Sequence, residues 1–244
     1  MKTPVDYILY LADTTLILSQ RNAEWCGHGP VLEQDIALTN ISLDLLGQAR
    51  NFYQYAATLT GGDATEDSLA YLRKEREFKN LLLTEQPNGD WAQTILRQFF
   101  FSNYQYLLYQ QLQNNQDEQL AAIAAKALKE VTYHLRWSSE WVIRLGDGTE
   151  ESHTRIKKAI EELWRYTGEL FMPAEYETAT GMDVAALQPA WLATTKAVFE
   201  EATLAVPENV FMQSGGKEGK HTEHLGYILT ELQYMQRAYP GAEW

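Results

Sequence analysis

Residues 36–52 read IALTNISLDLLGQARNF, and their apolar side chains recur with the 3.6-residue period of an α-helix. Projected at about 100° per residue, this segment carries one polar strip with apolar residues on both sides, so the strip faces inward. The strip consists of Asn40, Asp44, Gln48 and Asn51. The sequence therefore predicts a long helix over 31–59 that brings a carboxylate and several amides towards the core.

The same period dominates the whole chain, and no convincing run of alternating β-branched residues interrupts it. Proline and glycine mark where the helices begin and end, as at Pro30 before the second helix and at Gly61-Gly62 after it. Helices are predicted over 4–26, 31–59, 67–86, 91–114, 118–145, 151–171, 189–205 and 222–238. Because the second to fifth of these are long and closely connected, they favour a bundle. We predict an all-α, ferritin-like four-helix bundle with additional flanking helices, forming a single domain over 1–244.

The composition excludes several classes of function. The formal net charge is -13, so a nucleic acid or an anionic membrane surface would repel the chain. Cys26 is the single cysteine, which excludes an intrachain disulfide and suits a reducing compartment. The sequence contains neither a signal peptide nor an apolar stretch long enough for a membrane span. We therefore expect a cytoplasmic protein with no nucleic-acid or membrane partner.

The stretch Glu130-Val131-Thr132-Tyr133-His134 resembles half of a di-iron motif. Helical-bundle di-iron proteins hold their metals with four carboxylates and two histidines, each histidine three residues after a glutamate. Here Tyr133 takes that position and the histidine comes one residue later. The stretch is therefore either a variant metal site or the remains of one.

The other predicted bundle helices also lack ligands. The predicted third helix presents Glu75 on an apolar stripe, but Phe78 follows where a histidine is required. The predicted fourth helix has no acid between Asp90 and Asp117, and its inward Gln98 and Gln105 are neutral amides, which are poor ligands for ferric iron. The remaining vestigial ligand positions are Asp44, Glu75, Glu130 and His134. We predict no catalytic residue and no metal in this chain, and the alternative is a metal-dependent oxidase or oxygenase with this reduced ligand set.

The inward acids also have a purely structural interpretation. Bases near the relevant turns could neutralise them in a buried ion-pair network. The candidates are Arg50, Arg73, Arg97 and Lys126. His134 would then hydrogen-bond Glu130 one turn back.

Other motifs carry little chemistry. Glu-x-x-His occurs at Glu150–His153 and Glu218–His221, in a polar connection and a glycine-rich loop that suit metal binding poorly. Cys26 and His28 lack a third group to orient them. The sequence contains no phosphate-binding or dinucleotide-binding glycine motif.

The glycine-rich segment 215–224 precedes the last predicted helix. Its Lys217, Lys220, His221 and His224 lie close to a helix N-terminus, where backbone N–H groups favour an anion. One interpretation is a contact with a phosphate-bearing ligand or an acidic partner. The other is a solvated connector with Thr222 as N-cap.

Several stretches together resemble the C subunits of bacterial phenylacetyl-CoA epoxidases, multicomponent oxygenases that epoxidise the ring of phenylacetyl-CoA. These stretches cover nearly the whole chain in the expected order. They are EWCGH (24–28), ISLDLLGQARN (41–51), LLLTEQPNGD (81–90), KEVTYHLRWS (129–138) and HTEHLG (221–226).

The resemblance implies a ferritin-like fold and a cytosolic role in aerobic phenylacetate degradation. It also implies a stable complex with a homologous catalytic partner, the A subunit, which holds the di-iron site and binds the acyl-CoA, while the C subunit serves structure. A reductase subunit supplies electrons from NADPH and is a further possible partner. The missing ligands agree with a structural role for this chain.

Overall fold

The computed structural model describes residues 3–242, and every regular element in that range is helical. Short 3-10 turns link several of the helices, as at Glu75–Glu77 and Gly168–Phe171. No helix within the described range is long and apolar enough to cross a membrane. The α-helices are α1 (Val5–Ala23), α2 (Leu32–Thr60), α3 (Glu66–Tyr71), α4 (Leu82–Glu85), α5 (Trp91–Leu112), α6 (Glu118–Gly146), α7 (Glu150–Leu163), α8 (Glu175–Thr178), α9 (Gln188–Glu201) and α10 (Glu223–Ala238).

Helices α1, α2, α5 and α6 form a four-helix bundle. Helix α1 packs along α2, α5 packs along α6, and α2 meets α6. The hydroxyl of Ser19 bonds Ser42, while Tyr53 donates to Asp13, so α1 and α2 run antiparallel. The long connection from residue 61 to 90 crosses between the two pairs, as in ferritin-like folds. The prediction of an all-α, ferritin-like bundle is confirmed.

The predicted third helix over 67–86 is wrong, and α1 takes its place in the bundle. That segment contains two short helices, α3 and α4, with a 3-10 turn and extended residues between them. Side chains from elsewhere satisfy its backbone: Asp13 accepts from the N–H of Lys79, and Glu169 from that of Leu82, at 2.8 and 2.7 Å. These carboxylates replace the helical acceptors, although the apolar residues follow a helical period.

Helices α1 and α5 occupy the centre of the protein. Both are buried on nearly all sides, and α5 contains no aspartate or glutamate. A helix that is buried all round belongs to the core, where an unpaired carboxylate would be costly. Asp90 caps the start of α5 by accepting from the N–H of Gln93 at 3.0 Å, as its sequence position predicts. Helices α2 and α6 each keep one exposed face.

Candidate functional site

A polar centre formed by Gln48, Gln105, Tyr109 and Glu130 links three bundle helices. Gln48 of α2 donates to Glu130 of α6 at 2.8 Å and accepts from Gln105 of α5 at 2.9 Å. The Tyr109 hydroxyl lies 3.0 Å from the donating amide of Gln105 and 3.3 Å from Gln48 Oε1, to which it donates. Gln48, Gln105 and Tyr109 are buried and Glu130 is half-buried. The polar centre thus consists mainly of neutral groups that bond one another, although Oε1 of Gln105 is buried without a hydrogen-bond partner.

Glu130 is the acidic member of the polar centre. Burial raises the pKa of its carboxyl, and the hydrogen bond from Gln48 opposes this shift because it favours the ionised form. Burial likewise raises the pKa of the Tyr109 phenol. Both shifts favour the protonated forms, so the environment of the polar centre disfavours additional negative charge.

His134 lies beside the polar centre and pairs with a different residue from the one predicted. Its side chain is fully buried, and Nε2 lies 3.0 Å from Oδ2 of Asp44 on α2. Glu130, the predicted partner one turn back, bonds Gln48 instead. The interhelical pairing results from the antiparallel packing of α2 and α6, which places Asp44 opposite His134 and Gln48 opposite Glu130.

Tyr133 and Phe78, which stand where a di-iron motif has its histidines, do not point into the polar centre. Tyr133 points outward, with 38% of its surface exposed and its ring edge-on to that of His134. Phe78 lies in the crossover segment outside the bundle helices, and the guanidinium of Arg73 covers its ring at 4.3 Å. Glu75 belongs to an exposed 3-10 turn, so the prediction that it lies on an inward helical stripe is wrong.

The side chains present do not fit a di-iron centre. The structure brings together Asp44, Glu130 and His134 but leaves Glu75 on the surface. Within residues 3–242, no group of three histidine, cysteine, aspartate or glutamate side chains is arranged to hold a metal ion. A di-iron site needs four carboxylates and two histidines, whereas amides occupy the facing positions of α2 and α5.

Three of the four predicted bases have other roles. Arg73 forms a buried ion pair with Asp13, which also accepts from the Tyr53 hydroxyl at 2.6 Å. Arg50 pairs with Glu66 on the surface at 3.0 Å. The predicted ion-pair network around Asp44 and Glu130 is therefore wrong, since an amide and a histidine bond these acids instead.

Arg97 is buried without a carboxylate partner among the described residues. It donates to the backbone carbonyl of Gln86 at 2.6 Å and to the side chain of Asn88, which ties the crossover segment to α5. Burial lowers the pKa of Arg97 to about 9, and the nearby charge of Arg21 adds to the shift. Lys126 is exposed on α6. Neither base pairs with an inward acid of the bundle.

At the start of α10, donors that the sequence offered for an external anion bond the protein's own Glu85. Its carboxylate accepts from the backbone N–H and hydroxyl of Thr222 at 2.6 and 2.8 Å, and from Asn80 at 2.8 Å. His221 places Nδ1 2.9 Å from the same carboxylate and Nε2 2.9 Å from the carbonyl oxygen of Phe78. Since both ring nitrogens face acceptors, the geometry suits a doubly protonated imidazolium.

Two further carboxylates hold the preceding loop. Glu169 accepts from the backbone N–H groups of Gly215, Gly216 and Leu82, each at 2.7 Å. Lys217 forms a buried pair with Glu177 at 2.9 Å. Glu85, Glu169 and Glu177 together form a carboxylate cradle around residues 215–222.

The carboxylate cradle uses most of the groups that the sequence offered for an external anion. Lys217 and His221 are committed to internal bonds. Lys220 is exposed and pairs with Glu218 at 2.7 Å, and His224 lines a surface groove beside Glu161. No sequence signal identified Glu169 and Glu177, because nothing local marks an acid that will bind a distant loop.

The remaining motif residues lie apart from the polar centre. His153 contacts the carbonyl oxygen of Gly146 at 2.7 Å, near the end of α6. Cys26 is exposed, and His28 lies 3.1 Å from its carbonyl oxygen. Both histidines thus contact backbone carbonyl oxygens through Nδ1.

Comparison with known proteins agrees with the resemblance seen in the sequence. A family model described as phenylacetic acid catabolic protein matches residues 1–244. The chain is 52% identical over 243 residues to the C subunit of the 1,2-phenylacetyl-CoA epoxidase of Escherichia coli (strain K12), and the alignment covers 98% of each chain. The predicted similarity to a subunit of this epoxidase is confirmed, and the chain belongs to the phenylacetic acid catabolic protein family.

Proposed function

We propose that this chain is a non-catalytic structural subunit of a phenylacetyl-CoA epoxidase complex, working in the cytoplasm during aerobic phenylacetate degradation. It would stabilise and position the homologous catalytic subunit, which would hold the di-iron centre. The observation that carries this proposal is the polar centre, where Gln48 and Gln105 occupy the volume between α2, α5 and α6.

The hydrogen bonds of the polar centre oppose metal binding. Gln48 uses its amide to bond Glu130, and its oxygen already accepts from Gln105. A metal at Glu130 would break these buried bonds, and each unsatisfied group would cost about 1–3 kcal/mol. Bonds from neutral amide oxygens to the metal would offset little of this cost, because iron in such sites is held by anionic carboxylates.

The alternative is a metal-dependent oxidase, and it rests on the proximity of Asp44, Glu130 and His134. Elemental analysis of the purified chain separates the two functions. We expect no stoichiometric iron after reconstitution with Fe²⁺. Stoichiometric iron that is lost in Glu130→Gln, with Glu140→Gln on the exposed side of α6 as the matched control, would favour the oxidase.

The supporting role is tested by turnover of phenylacetyl-CoA. The catalytic subunit, together with the reductase, is assayed with NADPH in the presence and absence of this chain. We expect the catalytic subunit to lose solubility or most of its activity without the chain. Full turnover by the other two proteins alone would overturn the proposal.

A further inference from the structure

Asn88 in the crossover segment is followed by Gly89, and of the nine asparagines in the chain only this one precedes a glycine. In an Asn–Gly pair the glycine nitrogen can attack the side-chain carbonyl carbon of the asparagine, because glycine has no Cβ to hinder the approach. Gly89 is exposed and has a φ of 56°. Its N–H donates to no backbone acceptor within residues 3–242, so the attacking group of this reaction is available.

Three hydrogen bonds hold the side chain of Asn88. Nδ2 donates to the carbonyl oxygen of Arg21 and to Oε2 of Glu24, both at 2.8 Å. Oδ1 accepts from Nη2 of the buried Arg97 at 2.5 Å. These partners lie at the end of α1 and on α5, so the orientation of the amide depends on how the crossover segment packs against both helices.

The backbone of Asn88 is fixed as well. Its carbonyl oxygen accepts from the hydroxyl of Thr94 at 2.9 Å, and Thr94 in turn accepts from Nε1 of Trp25 at 2.8 Å. To reach the nitrogen of Gly89, the side-chain amide must turn away from its three partners. The hydrogen bonds of Asn88 therefore control whether ring closure can begin.

We propose that Asn88 is a site of spontaneous deamidation, and that its rate is set by how often the crossover segment separates from α1. The nitrogen of Gly89 loses its proton and bonds Cγ of Asn88, while the Cγ–Nδ2 bond breaks. Nδ2 leaves as ammonia with the proton that Gly89 lost. Water then opens the five-membered imide at either carbonyl, which gives aspartate or its isomer at position 88. The reaction needs no cofactor and no reactant other than water.

The product does not restore the contacts of Asn88. An oxygen would stand where Nδ2 now donates, so it would face two acceptors, the carbonyl oxygen of Arg21 and the carboxylate of Glu24. Arg97 already donates to Oδ1, so a new charge there strengthens one bond while two others are lost. Deamidation would therefore make the separation irreversible and would mark the chains in which it has occurred.

The control by the fold is tested by comparing folded and unfolded chains. The full chain is incubated at neutral pH, with and without urea, and mass spectrometry of its peptides measures the conversion of Asn88 over time. We expect the folded wild type to convert about 100-fold more slowly than the unfolded chain, since three hydrogen bonds must open first.

Glu24→Ala tests one of these bonds without changing Asn88 or Gly89. We expect the folded variant to convert about tenfold faster than the wild type, a factor that corresponds to about 1.4 kcal/mol and to one hydrogen bond with a charged group. Glu24→Gln keeps an oxygen acceptor and should stay within about threefold of the wild type. Exposed Glu33→Ala, at the start of α2, is the matched control and should leave the rate unchanged. In urea all these chains should convert at the same rate.

The effect of the product is tested with Asn88→Asp. Exposed Asn114→Asp is the control, because it adds the same charge in a turn. We expect Asn88→Asp to lower the Tm by about 3 °C or more, and the control to lower it by less than about 1 °C.

The outcomes decide each part of the inference. Equal rates for the folded and unfolded wild type would overturn the control by the fold, as would a folded Glu24→Ala chain that converts no faster than the wild type or not at all. A Tm of Asn88→Asp at or above that of the wild type would overturn the irreversible separation. None of these measurements involves a partner subunit, so the inference and the proposed function can fail independently.

Discussion

The polar centre and the carboxylate cradle solve the same problem in opposite ways. Both place polar side chains in the interior, where an unpartnered charge would be costly. In the carboxylate cradle, Glu85 accepts from N–H and O–H donors, and Glu169 accepts from three backbone N–H groups. In the polar centre, two amides and a phenol bond one another beside a single half-buried Glu130, and one amide oxygen, Oε1 of Gln105, stays without a partner.

This difference separates buried carboxylates that hold distant segments together from a centre built mainly of neutral groups. The carboxylate cradle joins the crossover segment and the loop before α10 through anionic acceptors, so its acids should dominate stability. The polar centre depends on weaker neutral bonds, so it should tolerate change better. Variants in each region test this difference in stability.

The largest effect is expected for Glu169→Gln. The new amide would turn an NH₂ group towards backbone N–H groups that now donate to the carboxylate. We expect the free energy of unfolding to fall by about 3 kcal/mol, since charge-assisted bonds are lost and buried donors remain. Urea denaturation at pH 8 measures it. Exposed Glu223→Gln, at the start of α10, is the control and should change stability by less than about 0.5 kcal/mol; equal stabilities for both variants would contradict the role of the cradle.

A smaller loss, of about 2 kcal/mol, is expected for Gln48→Leu in the polar centre. The substitution removes the donor to Glu130 and the acceptor of Gln105. A double-mutant cycle with Glu130→Leu should show coupling of about 1 kcal/mol, because the second change removes the unpaired acid. Strict additivity of the two substitutions would show that the hydrogen bond carries no stability.

The pH dependence of the carboxylate cradle should follow His221. Burial opposes its charged form, but the bond and charge of Glu85 outweigh burial and raise the pKa of His221 above its ordinary value of 6.5. A raised folded pKa means that this stabilisation is complete below about pH 6.5 and is lost as the pH rises through the folded value.

We therefore expect the wild type to lose stability relative to His221→Gln as the pH rises from about 6 towards 9, by less than the effect of Gln48→Leu. Urea denaturation at a series of pH values measures the difference. His153→Gln, in which the changed histidine contacts a carbonyl oxygen near α7, is the control. A wild-type curve parallel to that of His221→Gln would exclude a stabilising imidazolium.

Periodicity was sufficient to predict the long helices but not the crossover segment. The pattern of α2, α5 and α6 is helical over many turns, and their packing in the bundle agrees with it. Phe78 and Leu82 fit the same period, yet contacts from Asp13 and Glu169 hold that segment in another conformation. Those contacts join residues far apart in the sequence, so a local pattern cannot contain them.

The candidate site was predictable in its residues but not in its pairing. Inward projection identified Asp44, Gln48, Glu130 and His134, which the structure does bring to the α2–α6 seam. Which side chain faces which depends on the relative shift of two antiparallel helices, and the sequence of each helix alone does not contain that shift. The pairing of His134 with Asp44 could therefore be identified only from the structure.

The smallest effect is expected for Tyr133→His, which restores the Glu-x-x-His spacing. On an α-helix, position 133 is rotated about 300° from Glu130, which places it towards the exposed side. Position 134 is rotated about 400°, which places His134 on the inward side. Because Tyr133 is 38% exposed, a histidine there would point to solvent. We expect stability to change by less than about 0.5 kcal/mol, without any gain in Co²⁺ binding by visible spectroscopy.

Exposed Thr132→His, on the adjacent outward position of α6, provides the matched control for incidental binding by an added surface histidine. Stoichiometric Co²⁺ bound by Tyr133→His but not by this control would show that the backbone can turn the third position inward. A single substitution would then be enough to create a metal site at the α2–α6 seam. The polar centre would in that case tolerate charge better than its hydrogen bonds indicate. Equal weak binding by both variants would instead indicate that the amides of α2 and α5 prevent metal binding. No change at position 133 removes these amides.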